Sequence, residues 1–552
     1  MPRHAPATQL ETHEVTNQPP PLVDRNLYET DLALREGAVR EGGAWVAAPL
    51  SALGAVAGSE AVLELGELAN RHPPEFTPFD RYGRRIDEAR FHPSYHQLMT
   101  IAMDHRIHDI AWTAGRAGGH VAHASLLVLM TEAEAGILCP ISMTYAAVPA
   151  LRHQPDVTGP WLEKILGGRY DAPLAPIAGK RGVTVGMAMT EKQGGSDVRA
   201  NATRAFPLEA GGRLYRLVGH KWFCSAPMSD GFLTLAYTDA GLSCFLVPRI
   251  APDGSRNGIQ VMRLKDKLGN RSNASSEIEY HDAVAWLLGE EGRGVSVIID
   301  MVHHTRLDTM AGTLGIMRRP LAEAINHVSG RRVFQKTLAD QPAMRAVIAD
   351  LGLEYEAAAA LTLRVARAFD GGGEGDRAFA RLAVALGKYW LTKRCPNFVY
   401  ECMECHGGVG YVEETPLPRY FRESPLNAIW EGSGNVIALD VLRTLRKEPA
   451  ALEAWMAEVA LAYGADSRLD EAAGRVNDRL AGALAESDAR RLVEDMALVL
   501  QGALLVRHAP PAVADAFVAS RLAGDWGRCF GTLPAGADIN TIAARQIEPL
   551  AG

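Results

Sequence analysis

The chain has 552 residues, of which 47% are hydrophobic and 22% charged, and a formal net charge of −8. This length and apolar content predict several domains with large cores and exclude a disordered or fibrous class. The acidic balance, without a basic tract, argues against an extended nucleic-acid surface as the main design. No run approaches the roughly 20 apolar residues of a membrane span, and the first residues lack an export signal, so we expect a cytoplasmic protein whose seven cysteines are thiols.

Helical periodicity dominates residues 1–182, which are predicted to form an N-terminal helical domain. The Ala-rich run from Ile110 to Met130 is an example of this pattern. A proline-rich arm, Gln18 to Pro21, precedes the helices. Because an arm of this kind cannot pack alone, we expect it to dock on another subunit.

Residues 183–292 change to short alternating runs with turn signals between them, a pattern that predicts a middle β domain. Pro252-Asp253-Gly254 and Leu268-Gly269-Asn270 supply two of the turns. The predicted strands are Leu214 to Val218, Gly231 to Tyr237, Ser243 to Val247, Ile259 to Leu264 and Glu277 to Tyr280.

Helical patterns return in residues 293–446 and continue through an additional region, 447–552. The long helices are predicted at Val295 to Val328, Pro342 to Phe369 and Ala378 to Met403, with Gly371-Gly372-Gly373 as a loop. The sequence therefore predicts an α+β multidomain fold in which a β domain separates two helical parts.

One carboxylate stands between bulky apolar residues and a glycine turn in Ala428-Ile429-Trp430-Glu431-Gly432-Ser433-Gly434-Asn435. Apolar neighbours remove water from a carboxylate and raise its pKa, which suits a general base, and glycines let backbone N–H groups approach a ligand. The alternative is a helix N-terminus capped by Ser433. The pattern of this segment leaves both interpretations open.

Two more segments indicate a cofactor. The run Val185-Gly186-Met187-Ala188-Met189-Thr190-Glu191-Lys192-Gln193-Gly194-Gly195-Ser196-Asp197-Val198 opens from an apolar stretch into a Gly-Gly loop that can cradle a phosphate. The second segment is Gly219-His220-Lys221-Trp222-Phe223-Cys224-Ser225. With the Glu431 segment, these motifs resemble the acyl-CoA dehydrogenase flavoproteins. The runs 138–147 and 264–275 further resemble the AidB-type adaptive alkylation-response, isovaleryl-CoA dehydrogenase-like branch, and the resemblance extends from about Asn17 to about Arg446.

The resemblance implies the acyl-CoA dehydrogenase fold, with an N-terminal helical domain, a middle β-barrel-like domain and a C-terminal helical bundle, and FAD as cofactor. The residues expected at the flavin and its pyrophosphate are Met189, Thr190, Ser196, Trp222, Phe223 and Ser225. For Trp222 the alternative is a core tryptophan on a strand. The residues expected to reach FAD across a subunit interface or to surround its adenosine half are Arg331, Phe334, Gly407, Gly408 and Asn435. This arrangement implies a homotetramer.

For the reaction, the resemblance implies that Glu431 removes the α-proton of an acyl-CoA while the β-hydrogen leaves as hydride to FAD. Some relatives place the base on the first long helix of the C-terminal half, where this chain has Thr305. The backbone N–H of Glu431 would also donate to the thioester carbonyl, and Arg306, Trp430 and Gly432 would complete the wall of the substrate site. For Arg306 the alternative is an ordinary ion-pair partner on a helix.

His303 and Trp430 depart from the Asp and Tyr that family members acting on CoA esters usually have at these places. Both changes alter the mouth of the substrate cavity. The resemblance to this branch implies dehydrogenation of a short or branched acyl group, such as isovaleryl, with an electron acceptor that the sequence does not name.

A second function from another class is binding of double-stranded DNA in the response to alkylation damage, as implied by the branch. The candidate contacts are Arg443 and Arg446, although acidic residues outnumber basic ones after Asp440. A third is an oxidase or nitroalkane-type flavoenzyme, which is disfavoured because such relatives carry Asp where this chain has Glu431.

No metal is expected. Cys402-Met403-Glu404-Cys405-His406 matches the attachment pattern of c-type haem, but it continues into the family's Gly407-Gly408 segment, so the cysteines are interpreted as helix-packing residues. The adjacent His303 and His304 point about 100° apart on a helix and cannot easily share one ion.

Overall fold

The computed structural model of the protein describes residues 6–551. Residues 1–5 and 552, which belong to the first and last predicted domains, lie outside the described residues. The N-terminal part is helical, as predicted, with one hairpin, whose short strands give no helical or alternating apolar signal. Its elements are α1 (Leu32–Gly42), α2 (Ala47–Ala57), α3 (Glu60–Arg71), β1 (Glu75–Phe79), β2 (Arg85–Arg90), α4 (Pro93–Asp104), α5 (Ile110–Thr113), α6 (Gly119–Thr131), α7 (Leu138–Leu151) and α8 (Pro155–Ile165).

The middle part is a closed sheet. Its strands are β3 (Val185–Ala188), β4 (Arg204–Pro207), β5 (Leu214–Ser225), β6 (Gly231–Thr238), β7 (Gly241–Pro248), β8 (Ile259–Leu264) and β9 (Ser275–Leu288). The neighbours run in the order β3-β6-β4-β5-β9-β7, and β7 pairs again with β6, so that β6, β4, β5, β9 and β7 form a ring. The predicted β-barrel-like domain is therefore confirmed, and five of its strands lie where the alternation predicted them.

The C-terminal bundle is built on three long helices. They are α9 (Gly294–Gly330), α10 (Pro342–Asp370) and α11 (Glu374–Glu404), followed by the short α12 (Leu417–Glu423) and by α13 (Gly434–Lys447); the small hairpin of β10 (Arg332–Val333) and β11 (Lys336–Thr337) follows α9. The three long helices confirm the predicted ones within a few residues. They share one core with α6, every residue of which is buried because the helix is apolar all round.

The additional C-terminal region joins this same core. Its helices are α14 (Pro449–Ala460), α15 (Ser467–Ala481), α16 (Ala489–His508), α17 (Pro511–Phe517) and α18 (Ile539–Ile547). Arg521 pairs with Asp350 and Glu354 of α10. Arg545 of α18 pairs with Glu356 at 3.0 Å and with Glu36 of α1 at 2.9 Å. The region is thus fastened to α10 by buried ion pairs, and a half-exposed pair with Glu36 connects it to the first helix.

The proline-rich arm lies along α9 of its own chain. Asn17 Nδ2 donates to Arg332 O at 2.9 Å, and Asn326 Nδ2 donates to Pro20 O at 2.9 Å. Among residues 6–551 no single helix is long and apolar enough to cross a bilayer; one pair of segments, Ala44–Ala57 and Glu60–Arg71, meets the length and composition test together but bends by 66°.

Candidate active site

Glu431 stands on a tight turn immediately before α13. Its φ of +56° is a left-handed conformation, which costs a non-glycine residue about 1–2 kcal/mol, and Gly432 follows with φ +102°. A side chain on Gly432 would come within 2.9 Å of Ile437 Cδ1, so the turn requires glycine there. Ser433 occupies the N-cap position of α13 without a side-chain capping bond, so the helix start and the carboxylate turn coincide.

The Glu431 carboxyl group faces α9. Thr305 Oγ1 donates to Glu431 Oε2 at 2.7 Å. Removal of water by the surrounding protein raises the pKa of Glu431, although the Thr305 hydroxyl and the cations Lys388 and Arg306 oppose the rise. Glu431 as a residue is partly exposed, so a ligand can reach the turn, while burial of the carboxyl group favours proton uptake. These are the properties that a general base needs.

Arg306 ties this turn to α13. Its Nε donates to Glu431 O at 3.3 Å, and its Nη1 donates to Asp440 Oδ2 at 2.8 Å. Arg381 pairs with the other Asp440 oxygen at 3.0 Å. Although burial opposes ionisation, the Arg306 and Arg381 guanidiniums hold the pKa of Asp440 below its ordinary value. Arg306 is therefore an ion-pair partner and also a contact of the turn.

His303 and Trp430, the two residues that differ from those usual in the family, have well-defined surroundings. Trp430 Nε1 donates to Asn427 Oδ1 at 2.9 Å, and its ring packs against an apolar cluster that contains Met143, Tyr145 and Met301. Burial, reinforced by Arg306 and Arg381, lowers the pKa of His303 to about 3. His303 is therefore uncharged at neutral pH, unlike an aspartate at the same place.

The predicted flavin loop is anchored by a buried ion pair that the motifs did not reveal. Glu191 and Lys221 are both fully buried, and Lys221 Nζ lies 2.8 Å from Glu191 Oε1. Glu191 also accepts from Ala202 N at 2.6 Å. Although burial opposes ionisation, Lys221 lowers the pKa of Glu191 to about 2. The sequence held one indication of this pair. Lys221 lies an even number of residues from Tyr215 and Leu217 on the same strand, so its side chain is expected on the same inward face.

The strand and the loop bring their predicted flavin residues together. Trp222 N donates to Thr190 O at 2.8 Å, and Met189 packs against the same apolar cluster as Trp430. Trp222 is half-buried and not a core tryptophan, with Lys265 Nζ 3.3 Å from its ring centroid. Phe223 is 50% exposed.

Cys139 connects this surface to the base. Burial raises the pKa of its thiol to about 12, the Ser225 hydroxyl lowers it by hydrogen bonding, and the Glu431 carboxylate raises it further. Ser225, predicted at the flavin, and Glu431, predicted as base, thus both affect the pKa of one thiol. The motifs gave Cys139 no role of its own.

A second set of predicted residues lies around the end of α9. Arg331 Nη1 donates to Asn17 O at 3.0 Å, and Phe334, at the tip of the β10–β11 hairpin, is 89% exposed. Gly407 and Gly408 form an exposed turn after α11; His406, just before it, lies 4.6 Å from His327 of α9 between ring centroids. Among residues 6–551, no hydrogen bond or ring contact joins this set to the Glu431 turn. Asn435 is exposed in the first turn of α13.

Arg443 and Arg446 lie on the outer face of α13. Arg443 pairs with Asp440, and Arg446 Nη2 donates to Leu484 O at 2.9 Å. With Lys447, Leu439, Leu442 and Glu486 they line a cavity of about 180 Å³. Within residues 6–551, no group of three or more His, Cys, Asp or Glu side chains could hold a metal ion.

The helical, β-barrel-like and helical parts, in this order, are those of an acyl-CoA dehydrogenase. Comparison with known families agrees. The model of the adaptive response protein AidB N-terminal domain matches residues 17–172, that of the acyl-CoA dehydrogenase middle domain matches 186–283, and that of the acyl-CoA dehydrogenase C-terminal domain matches 292–445.

Similarity to individual proteins identifies the branch of the family. The chain is 46% identical to the putative acyl-CoA dehydrogenase AidB of Escherichia coli over 92% of its own length and 94% of that protein. It is 30% identical to acyl-CoA dehydrogenase family member 11 of Caenorhabditis elegans over 84% and 80%. The crystal structure of C. elegans ACDH-11 in complex with C11-CoA superposes with a TM-score of 0.82 at 27% identity, covering 99% and 94% of the two chains. The chain belongs to the AidB type of the acyl-CoA dehydrogenase family.

Members of this family are FAD-dependent oxidoreductases, and the residues present fit the cofactor. The N–H groups of Gly195 and Ser196 have no acceptor among residues 6–551, so they are free to bind a phosphate. The aromatic surface of Trp222 and Phe223 is accessible beside them.

Proposed function

We propose that the protein dehydrogenates the α,β-bond of a short or branched acyl-CoA of the isovaleryl type, with Glu431 as base. Glu431 takes the α-proton, the β-hydrogen leaves as hydride, and a carbon–carbon double bond forms. FAD, when bound, accepts the hydride, and the two electrons then pass to an acceptor. The observation that carries the proposal is the Glu431 carboxyl group on its left-handed turn, bonded by Thr305 Oγ1 at 2.7 Å and with its pKa raised by burial.

The turn also offers an oxyanion donor. No acceptor for the Glu431 N–H group is present among residues 6–551. We assign it to the thioester carbonyl, whose charge grows as the α-proton leaves. A single donor of this kind is worth about 3 kcal/mol to the transition state.

The preference for a small acyl group is supported by the aromatic side chains of α5 and α7 that pack around His304, the neighbour of Thr305 on α9. The ring centroids of Trp112 and His304 are 5.3 Å apart, and those of Tyr145 and His304 are 5.5 Å apart. Large side chains leave less room for an acyl chain. The relative solved with C11-CoA offers the contrasting long-chain ligand for the experiment below.

The cofactor site is proposed to be completed across a homotetramer interface. The exposed Phe334 and the open Gly407-Gly408 turn support this arrangement, since both are accessible to a neighbouring subunit. We also propose domain boundaries at residues 182, 292 and 446, and the three family matches support them. We also propose a cytoplasmic location, supported by seven free thiols, six of them buried.

An alternative is binding of duplex DNA in the response to alkylation damage. The three cations Arg443, Arg446 and Lys447 on one face of α13 favour it, because phosphate neutralisation drives such binding. Two observations weigh against it: Arg443 is already paired with Asp440, and Arg446 is bonded to a backbone carbonyl. Duplex binding that falls steeply with salt and is lost in Arg443→Ala/Arg446→Ala would establish it; no retention at moderate salt would reject it.

The deciding experiment is an anaerobic titration of the purified flavoprotein with acyl-CoA esters from butyryl and isovaleryl to C11. Bleaching of the oxidised flavin band, fastest with the short or branched esters, is the expected result. Fastest bleaching by C11-CoA would overturn the substrate size. Bound flavin that no ester bleaches would overturn the dehydrogenase proposal and give priority to the DNA alternative.

A further inference from the structure

Lys388 is a buried cation on α11 that reaches the catalytic turn. Its side chain is 1% exposed and sits in an otherwise apolar stretch of the helix. Its Nζ donates to Trp430 O at 2.8 Å and, in a shorter bond, to Gly432 O. Arg306 holds the intervening carbonyl, that of Glu431, at 3.3 Å. Three successive carbonyls are therefore bound by two buried cations from two helices.

The hydrogen bonds to these three carbonyls determine the direction of the N–H groups of the turn. In a trans peptide the C=O and N–H groups point in opposite directions. Binding of Trp430 O to Lys388 therefore turns the Glu431 N–H away from α11. The same contacts hold Glu431 at its left-handed φ of +56°, a conformation that persists only where the surroundings enforce it.

We propose that Lys388 is a positioning residue for the thioester site, which fixes both the Glu431 carboxylate and the Glu431 N–H donor through the carbonyls on either side. The inference rests on the proposed role of Glu431. It assigns to Lys388 no contact with the substrate.

Packing alone does not account for a lysine here. Burial, reinforced by Arg306 and Lys393, lowers the pKa of Lys388 to about 7, although Glu431 opposes the change. Asp440 on α13 is engaged by Arg306 and Arg381, and among residues 6–551 Lys388 has no carboxylate within ion-pair distance. A methionine of similar length would fill the space without burying a charge. The hydrogen bonds to the turn are what the lysine adds.

The test compares Lys388→Met with wild type, using 3,3-dimethylbutyryl-CoA in D₂O. This ester has α-hydrogens but no β-hydrogen, so exchange of its α-hydrogens reports proton removal without hydride transfer. The expected result is an exchange rate per bound flavin at least 100-fold lower, with substrate affinity changed less than threefold. An exchange rate within threefold of wild type would overturn the inference.

Lys180→Met is the matched control. Lys180 is also buried, and its Nζ bonds Asp230 and Pro173 O, away from the catalytic turn. Its loss is expected to lower the melting temperature while leaving exchange per flavin unchanged. If Lys388→Met does not fold, Lys388→Gln replaces it, because its shorter side chain with a planar amide cannot reach both carbonyls as the ammonium does; we expect at least a tenfold loss there, and wild-type exchange would reject the inference.

Glu431→Gln, measured in parallel, separates this inference from the proposed function. Wild-type exchange in Glu431→Gln would mean that the base is wrongly assigned. An inactive Glu431→Gln beside a fully active Lys388→Met would leave the base in place and remove only the positioning role.

Discussion

The protein contains two buried Glu–Lys neighbourhoods that behave in opposite ways. At Glu191 the ammonium of Lys221 bonds the carboxylate directly at 2.8 Å, and the pKa of Glu191 falls to about 2 despite burial. At Glu431 the ammonium of Lys388 bonds two backbone carbonyls, the carboxylate receives a neutral threonine hydroxyl, and its pKa is raised by burial.

The difference shows that the placement of the lysine donors, rather than the residue pair, decides what the carboxylate can do. A directly paired carboxylate is held ionised and acts as a structural anchor. A carboxylate whose neighbouring lysine is occupied elsewhere keeps its affinity for a proton. The first arrangement fixes the flavin loop to β5, and the second suits a base.

Removing the base should have the largest effect. Glu431→Gln keeps the shape of the side chain but cannot accept a proton, so flavin reduction by the best acyl-CoA should fall by about 10²–10⁴-fold. Stopped-flow reduction, normalised to bound flavin, measures this. The variant should retain FAD, because Glu431 does not anchor the loop. A variant that still reduces its flavin at the wild-type rate would remove Glu431 from the mechanism.

Removing the anchor should act on stability instead. Glu191→Gln leaves Lys221 buried without its countercharge, which costs about 3–5 kcal/mol of unfolding free energy. Denaturant unfolding measures the loss, and the purified variant should contain less FAD. The exposed Glu163, 3.8 Å from Lys164, provides the control, since Glu163→Gln should cost under about 1 kcal/mol. Equal stability of the two variants would contradict the anchor role.

The same anchor predicts a pH dependence. Because the folded-state pKa of Glu191 is lowered to about 2, its contribution is fully present above the unfolded value near 4.5 and is lost as pH falls through about 2. The stability difference between wild type and Glu191→Gln should therefore be constant near neutral pH and shrink below pH 4.5. A difference that persists unchanged to pH 2 would show that packing, not charge, is responsible.

A smaller effect is expected from removal of the Thr305 hydroxyl, which bonds the Glu431 carboxylate where a lysine ammonium bonds that of Glu191. Thr305→Val removes a hydrogen bond to the charged carboxylate, so the pKa of Glu431 should rise further above its ordinary value. Since the base must be deprotonated to react, the pH of half-maximal flavin reduction should move upward equally. Thr309→Val is the control, because Thr309 donates to the Thr305 carbonyl one turn away. A shift in both variants, or in neither, would exclude the proposed contact.

Several parts of this contrast could be predicted from sequence because their signals are local. The glycines around Glu431 and the hydroxyl-bearing loop at Thr190 lie within single short segments. The three long helices and most strands follow from periodicity. Even Lys388 leaves a trace, as a single charge within the apolar run of α11.

The contacts that distinguish the two carboxylates could not be predicted, because they join distant segments through packing. Glu191 meets Lys221 across 30 positions, and Thr305 meets Glu431 across 126. No spacing rule connects such positions. The sequence named Arg443 and Arg446 as candidate DNA contacts but could not show that the fold pairs one with Asp440 and bonds the other to Leu484 O.

The smallest expected effect is a change in melting temperature, and its sign differs between substitution of Glu431 and substitution of Glu191. The folded-state pKa of Glu431 is raised, so the fold favours its protonated form; this contribution is fully present below the ordinary pKa and is lost as pH rises through the raised value. Glutamine resembles the protonated acid and never ionises. Glu431→Gln should therefore melt about one degree above wild type at pH 8, and the gain should vanish towards pH 4, whereas Glu191→Gln should melt lower. Calorimetry of both variants at the two pH values checks the signs; a loss of stability in Glu431→Gln at pH 8 would mean that its ionised form is favoured by the fold, as an anchor is, and the distinction between base and anchor would fail.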